Sequence, residues 1–134
     1  MSDELYQTRI VALAKSKTGA GKMASPTKSA RRDNPLCGDR VTIDVKLDNG
    51  RITEIAHQVR GCLLCQASAA ALATTAVGRD ASGIAELRHD AERAIGREAG
   101  KAHEPFDAFE PVANHKSRHE CVLLPFEALK DALS

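Results

Sequence analysis

The clearest pattern along the chain is a strict alternation from Val41 to Leu47. Val41, Ile43, Val45 and Leu47 point to one side and Thr42, Asp44 and Lys46 to the other, which predicts a half-buried strand. Asp48-Asn49-Gly50 follows, and such residues tolerate positive φ, so the strand turns back as a hairpin. The return strand runs from Arg51 to Val59. Ile52 and Ile55 are out of phase by one, which predicts a bulge or twist between them; Ile55, His57 and Val59 then share a face. Elsewhere the period is helical. Leu5, Ile10 and Leu13, with Tyr6 and Val11 beside them, mark a first helix over Asp3 to about Lys15, capped by Ser2 or Asp3. An Ala-rich run from Cys65 to Val77 predicts a second helix stopped by Gly78. Ile84, Leu87, Ala91, Ala94 and Ile95 predict a third over Ile84 to about Ala99. Residues 101–118 have no period, and Pro105 and Pro111 make them a loop. A last helix runs from about Val122 to Leu133 and can hold Pro125 only in its first turn.

Residues 15–33 break this pattern. Lys15, Lys17, Lys22, Lys28, Arg31 and Arg32 stand among Gly, Ser and Ala with no acid until Asp33, which reads as a flexible basic connector. Gly19-Ala20-Gly21-Lys22 lacks the spacing of a phosphate loop and follows no strand. The 134 residues fit one domain over 1–134, and 43% hydrophobic content can form a core. That core must be mostly aliphatic, because aromatics make up only 3% and Trp is absent. A net charge of +1 argues against a dedicated nucleic-acid binder. The N-terminus has no basic and apolar leader, and no apolar run is long enough to span a bilayer, so no membrane role is expected. The expected location is cytoplasmic, with the four cysteines reduced and available for metal or sulfur chemistry.

The cysteines sit in three contexts: Asn34-Pro35-Leu36-Cys37-Gly38-Asp39, Gly61-Cys62-Leu63-Leu64-Cys65, and His119-Glu120-Cys121. Cys37 precedes the hairpin and Cys62 follows it, so antiparallel pairing returns both to the same end of the sheet. Cys37, Cys62 and Cys121 supply three sulfurs and Asp39 a harder oxygen. Such a set binds zinc or an iron–sulfur cluster with one more exchangeable corner. Cys62 lies at a helix start, where the amides and dipole favour its thiolate, and Cys121 likewise precedes a helix. Cys62-Leu63-Leu64-Cys65 is also a C-x-x-C, a dithiol pattern. Cys65 by itself reads as a small buried hydrophobe, with a spare-ligand or sulfur-relay role as the alternative. Among the histidines, His57 reads as packed or surface, and His89, His103 and His115 as solvent-facing. His119, two residues before Cys121, is the one placed to reach the centre.

Asn-Pro-x-Cys-Gly-Asp, a hairpin, Gly-Cys followed by Ala67-Ser68, and a Cys before a C-terminal helix together resemble the U-type iron–sulfur cluster assembly family. Its members are IscU, SufU and the N-terminal domain of NifU. Leu5-Tyr6 and Phe126-Glu127-Ala128-Leu129 also fit, so the resemblance spans nearly the whole chain. The long Cys62–Cys121 interval, Glu120 where IscU types have His, the absent Leu-Pro-Pro-Val-Lys motif and Arg118 are similar to the SufU branch. The chain departs from the family at His57, at the Lys-Gly-rich run and at the additional Cys65.

The resemblance implies an α+β fold, a small antiparallel sheet packed against helices. It implies Cys37, Asp39, Cys62 and Cys121 as ligands of a [2Fe–2S] cluster or iron, or of Zn²⁺, with Cys62 and Cys121 as persulfide acceptors. A cysteine desulfurase of the SufS or IscS type and apo iron–sulfur recipient proteins are the implied partners, and the chain is expected as a monomer or weak oligomer. Two roles stand open: a scaffold and sulfur acceptor, or a zinc-dependent sulfurtransferase that activates the desulfurase.

Overall fold

The computed structural model describes residues 8–36 and 38–134. Leu5, Tyr6 and the expected caps Ser2 and Asp3 lie outside the described residues, as does Cys37. The elements in order are α1 (Thr8–Ser16), β1 (Lys28–Asn34), β2 (Asp39–Asp48), β3 (Arg51–Arg60), α2 (Leu63–Ala76), α3 (Ala81–Ala94), 3-10 turns over Phe106–Asn114 and Lys116–Arg118, and α4 (His119–Leu133). The fold is α+β, with one antiparallel sheet in the order β1-β2-β3.

The hairpin forms as its pattern dictates. Val41, Ile43 and Val45 are buried. Asn49 and Gly50 both take positive φ, 53° and 80°, which matches a two-residue hairpin turn to the right-handed twist of the strands. The bulge lies where the phase change predicts it: Lys46 faces Glu54 and Leu47 faces Ile52, so Thr53 is the extra residue.

The basic connector over 15–33 is corrected by the structure. Lys28–Asn34 is the third strand, paired with β2 from Lys28 opposite Val45 to Asn34 opposite Asp39. Its pattern is almost wholly polar, with only Ala30 and Asn34 partly buried, so no alternation announces it. Backbone pairing holds it, and its cations bind the last helix: Arg32 Nε donates to Asp131 at 2.7 Å and Lys28 Nζ to the Ser134 carbonyl at 2.8 Å. Ahead of it, residues 17–21 strap the free edge of β3. The His57 amide donates to the Gly19 carbonyl at 2.8 Å, and the Gly21 amide donates to that of His57 at 2.9 Å. Gly19 has φ 78°, and a Cβ there would stand 2.6 Å from that of Ala73. Glycine is therefore what lets the strap lie against α2.

Helix α2 is the centre of the packing. Ten of its fourteen residues are buried, and most of them are alanine. A helix apolar on all sides belongs inside, and its small side chains let α1, β3 and α4 approach closely. The Ser68 hydroxyl donates to the Val122 carbonyl and ties α2 to the first turns of α4. Other boundaries shift. Helix α2 begins two residues earlier than expected and α3 spans Ala81–Ala94, started by Asp80, whose side chain accepts from the Gly83 amide at 2.9 Å. The expected loop over 101–118 contains two 3-10 segments, and Phe106, Phe109 and Val112 of the first enter the core. Helix α4 starts at His119 rather than Val122, and Pro125 lies inside it, past the first turn. Among the described residues no helix is long and apolar enough to cross a membrane.

His57 is 6% exposed. Its Nε2 donates to the Thr18 carbonyl at 2.7 Å, since a carbonyl can only accept. Its Nδ1 is buried with no hydrogen-bond partner among the described residues. Burial holds the imidazole pKa below its ordinary 6.5. A depressed folded-state pKa gives stability that is present above pH 6.5 and lost as pH falls toward the folded value. Urea melts are therefore expected to show wild type weakening below about pH 6.5. A His57→Gln variant is expected to lack that component of the pH dependence; an unchanged profile would place the proton uptake elsewhere.

Candidate metal and thiol centre

Three segments meet at the end of the sheet opposite the Asn49-Gly50 turn. Asp39 opens β2 directly beside the last pair of the hairpin, Arg40 opposite Arg60. Cys62 is the N-cap of α2, with φ −71° and ψ 166°, and its carbonyl accepts from the Gln66 amide at 3.1 Å. Cys121 lies in the first turn of α4, not ahead of it as expected. Among the described residues, the ligand atoms of Asp39, Cys62 and Cys121 all lie within 4.8 Å of one another.

Asp39 organises the group. Its Oδ1 accepts from the Cys62 amide at 3.0 Å and its Oδ2 from the Cys62 thiol at 3.4 Å. The carboxylate thus reaches the N-cap of α2 from a neighbouring strand, as the glutamate of a capping box does from within its own helix, and a negative charge there is favourable. Asp39 is only 3% exposed. Gly61 makes the approach possible: a Cβ at that position would stand 2.6 Å from the Asp39 carboxyl carbon. The sequence marks Gly61 as part of a Gly-Cys pair, but its role as a notch for Asp39 is visible only in the fold.

The loop before Asp39 is a tight turn. Asn34 Oδ1 accepts from the Leu36 amide at 3.1 Å, and the Gly38 amide, at φ 77°, returns to the Asn34 carbonyl at 2.8 Å. Leu36 projects into solvent, 92% exposed. An open depression of about 670 Å³ runs along this loop, and Asp39, Arg40, Arg60 and Cys62 are among the residues that line it.

The Cys62 thiol is pulled from its ordinary 9.0 to about 7. The largest cause is a hydrogen bond from the Cys121 thiol, and the Cys65 amide donates to the same sulfur. Burial and the Asp39 carboxylate oppose them. A substantial share of Cys62 is therefore thiolate near neutral pH, the form that binds metal and attacks sulfur.

His119 does not reach this centre. It is 5% exposed; its Nε2 donates to the Ala113 carbonyl at 3.2 Å and its Nδ1 accepts from Arg97 Nε at 3.2 Å. Arg97 also pairs with Glu120 at 3.2 Å. That guanidinium clamps the first turn of α4 and offsets the negative charge beside Cys121. Cys65 is fully buried and is not one of the three clustered residues. His57, His89 and His103 are engaged by Thr18, Glu98 and Asp90 respectively.

Residues 5–133 match the model of the NifU-like N terminal domain, and the chain belongs to that family. It is 28% identical over 132 residues to the iron–sulfur cluster assembly scaffold protein IscU of Thermotoga maritima, covering 96% of this chain and 92% of that one. It is 24% identical over 105 residues to the zinc-dependent sulfurtransferase SufU of Bacillus subtilis, covering 76% and 71%. A solved SUF-system protein, FiSufU from Fervidobacterium islandicum AW-1, superposes with a TM-score of 0.90 at 29% identity over the full length of both chains.

Alkylation of Cys62 in metal-free protein is expected to rise with pH through a midpoint of about 7. In a Cys121→Ala variant, which removes the donating thiol, the midpoint is expected to move up. An unmoved midpoint would contradict the thiol–thiol hydrogen bond.

Proposed function

We propose that the chain is an iron–sulfur cluster assembly protein that accepts persulfide sulfur and holds metal or cluster on Cys37, Asp39, Cys62 and Cys121. The observation that carries this reading is the convergence of Asp39, Cys62 and Cys121 within 4.8 Å at one end of the sheet. The donor chemistry fits. Thiolates suit zinc and iron–sulfur units, and tetrahedral Zn–S bonds of about 2.3 Å bring two sulfurs to about 3.8 Å, so the group is close to preformed. Cys37, two residues before Asp39, is the fourth ligand in this reading. Cys62 and Cys121 are the sulfur acceptors, with Cys62 the readier nucleophile because its thiolate persists near pH 7.

The sulfur source is a cysteine desulfurase and the recipients are apo iron–sulfur proteins. The chain acts as a single domain over 1–134, a monomer or weak oligomer, in the cytoplasm. A second reading is a zinc-dependent sulfurtransferase of the SufU branch. The mixed sulfur and oxygen donor set supports it, because zinc takes carboxylate oxygen as well as thiolate sulfur. Metal content of the freshly isolated protein separates the two. A chromophore that forms with iron, cysteine and desulfurase and passes to an apo-ferredoxin supports the scaffold. Tight zinc without a chromophore, and faster desulfurase turnover, supports the transferase.

Asp39 supplies the harder, more exchangeable donor, and its carboxylate also caps α2. Asp39→Ala is expected to slow transfer of bound cluster to an apo acceptor by roughly tenfold. It is also expected to lower stability by about 0.5–2 kcal/mol through the lost cap. Faster transfer would contradict the assignment of Asp39 as the labile corner.

A further inference from the structure

Sulfur delivered as persulfide is not yet sulfide; it must gain electrons, and a further cysteine stands one helical turn along α2 from Cys62. Cys65 sits three residues after Cys62 in the first turn of α2. Its amide donates to the Cys62 sulfur, so its backbone lies against that atom. Helical geometry over Leu63 and Leu64 sets the two Cα atoms about 5 Å apart, inside the range a disulfide spans. Cys65 is 0% exposed, shut off from external thiols and oxidants. It does not belong to the Asp39, Cys62 and Cys121 group, so holding metal on those three does not occupy it.

We propose that Cys65 is the resolving thiol of Cys62, converting sulfur carried there into sulfide inside this one chain. This rests on the reading of Cys62 as a sulfur acceptor. A persulfide donor first transfers its outer sulfur to the Cys62 thiolate and leaves as a thiol. The Cys65 sulfur then attacks Cys62 Sγ. The bond from Cys62 Sγ to the outer sulfur breaks, the Cys62–Cys65 disulfide forms, and the proton of Cys65 leaves with hydrogen sulfide. Counting the delivered atom as zero-valent sulfur on a thiol, the two cysteines together supply the two electrons that make it sulfide. A small thiol or dithiol reductant restores the pair by thiol–disulfide exchange. While the disulfide stands, Cys62 is withdrawn from the ligand group, so sulfide release and loosened metal binding occur together.

The test loads the full chain, as isolated, with inorganic polysulfide in the absence of oxygen and thiols, then desalts it. Intact mass and peptide mapping follow for wild type, Cys65→Ala and Cys65→Ser. Wild type is expected to end two hydrogens lighter, with Cys62 linked to Cys65. Both variants are expected to keep one added sulfur on Cys62 and to release sulfide only when an external thiol is supplied. A stable added sulfur on Cys62 in wild type, or a crosslink from Cys62 to Cys121 or Cys37, would overturn the role of Cys65 while leaving Cys62 as acceptor. Absence of added sulfur on Cys62 in both variants would overturn the acceptor reading itself. The wild-type crosslink decides the matter even if a variant folds poorly.

Discussion

A single buried carboxylate joins the sheet to the helices. Asp39 lies at the first residue of β2, yet its two oxygens belong to Cys62: one takes the amide of the α2 N-cap, the other its thiol. A carboxylate buried without partners would be costly. Here the N-terminus of α2 supplies a donated N–H and a favourable dipole, and Gly61 removes the Cβ that would stand in the way. The same contact that caps the central helix therefore sets a carboxylate oxygen beside the Cys62 sulfur. Fold and site share one interaction, so neither can be altered there without the other.

The second constraint is the placement of Cys121. Ser68 ties α2 to α4 through the Val122 carbonyl, while His119 and Arg97 pin the first turn from the other side. With both helix starts fixed, the two thiols come close enough for one to donate to the other. That hydrogen bond, together with the one from the Cys65 amide, outweighs burial and the nearby Asp39 carboxylate and brings Cys62 to about 7. A thiolate at neutral pH thus follows from helix packing, with the dipole of α2 only assisting.

Where burial imposes a period, the sequence was legible. The hairpin, its positive-φ turn and the bulge at Thr53 follow from residues 41–59, and the return of Asp39 to Cys62 follows from the hairpin. Strand β1 was not legible, because an edge strand held by backbone bonds and by Arg32 to Asp131 needs no apolar alternation. The glycine-rich strap resembles a linker because its Gly19 serves close packing against Ala73 and His57, which composition cannot distinguish from flexibility. Helix α4 starts earlier than the pattern predicts, because it holds Pro125 past its first turn. His119 resembled a ligand by spacing; only the fold shows both of its nitrogens engaged. Cys65 is buried as its helical context predicts, and only the fold shows its amide against the Cys62 sulfur.

The most direct test of the convergence is zinc K-edge X-ray absorption on the zinc-loaded protein. A mixed shell is predicted, three sulfurs at about 2.3 Å and one oxygen at about 2.0–2.2 Å, with the oxygen lost in an Asp39→Ala variant. A shell of four sulfurs, or one containing imidazole, would contradict a centre built on Asp39, Cys62 and Cys121.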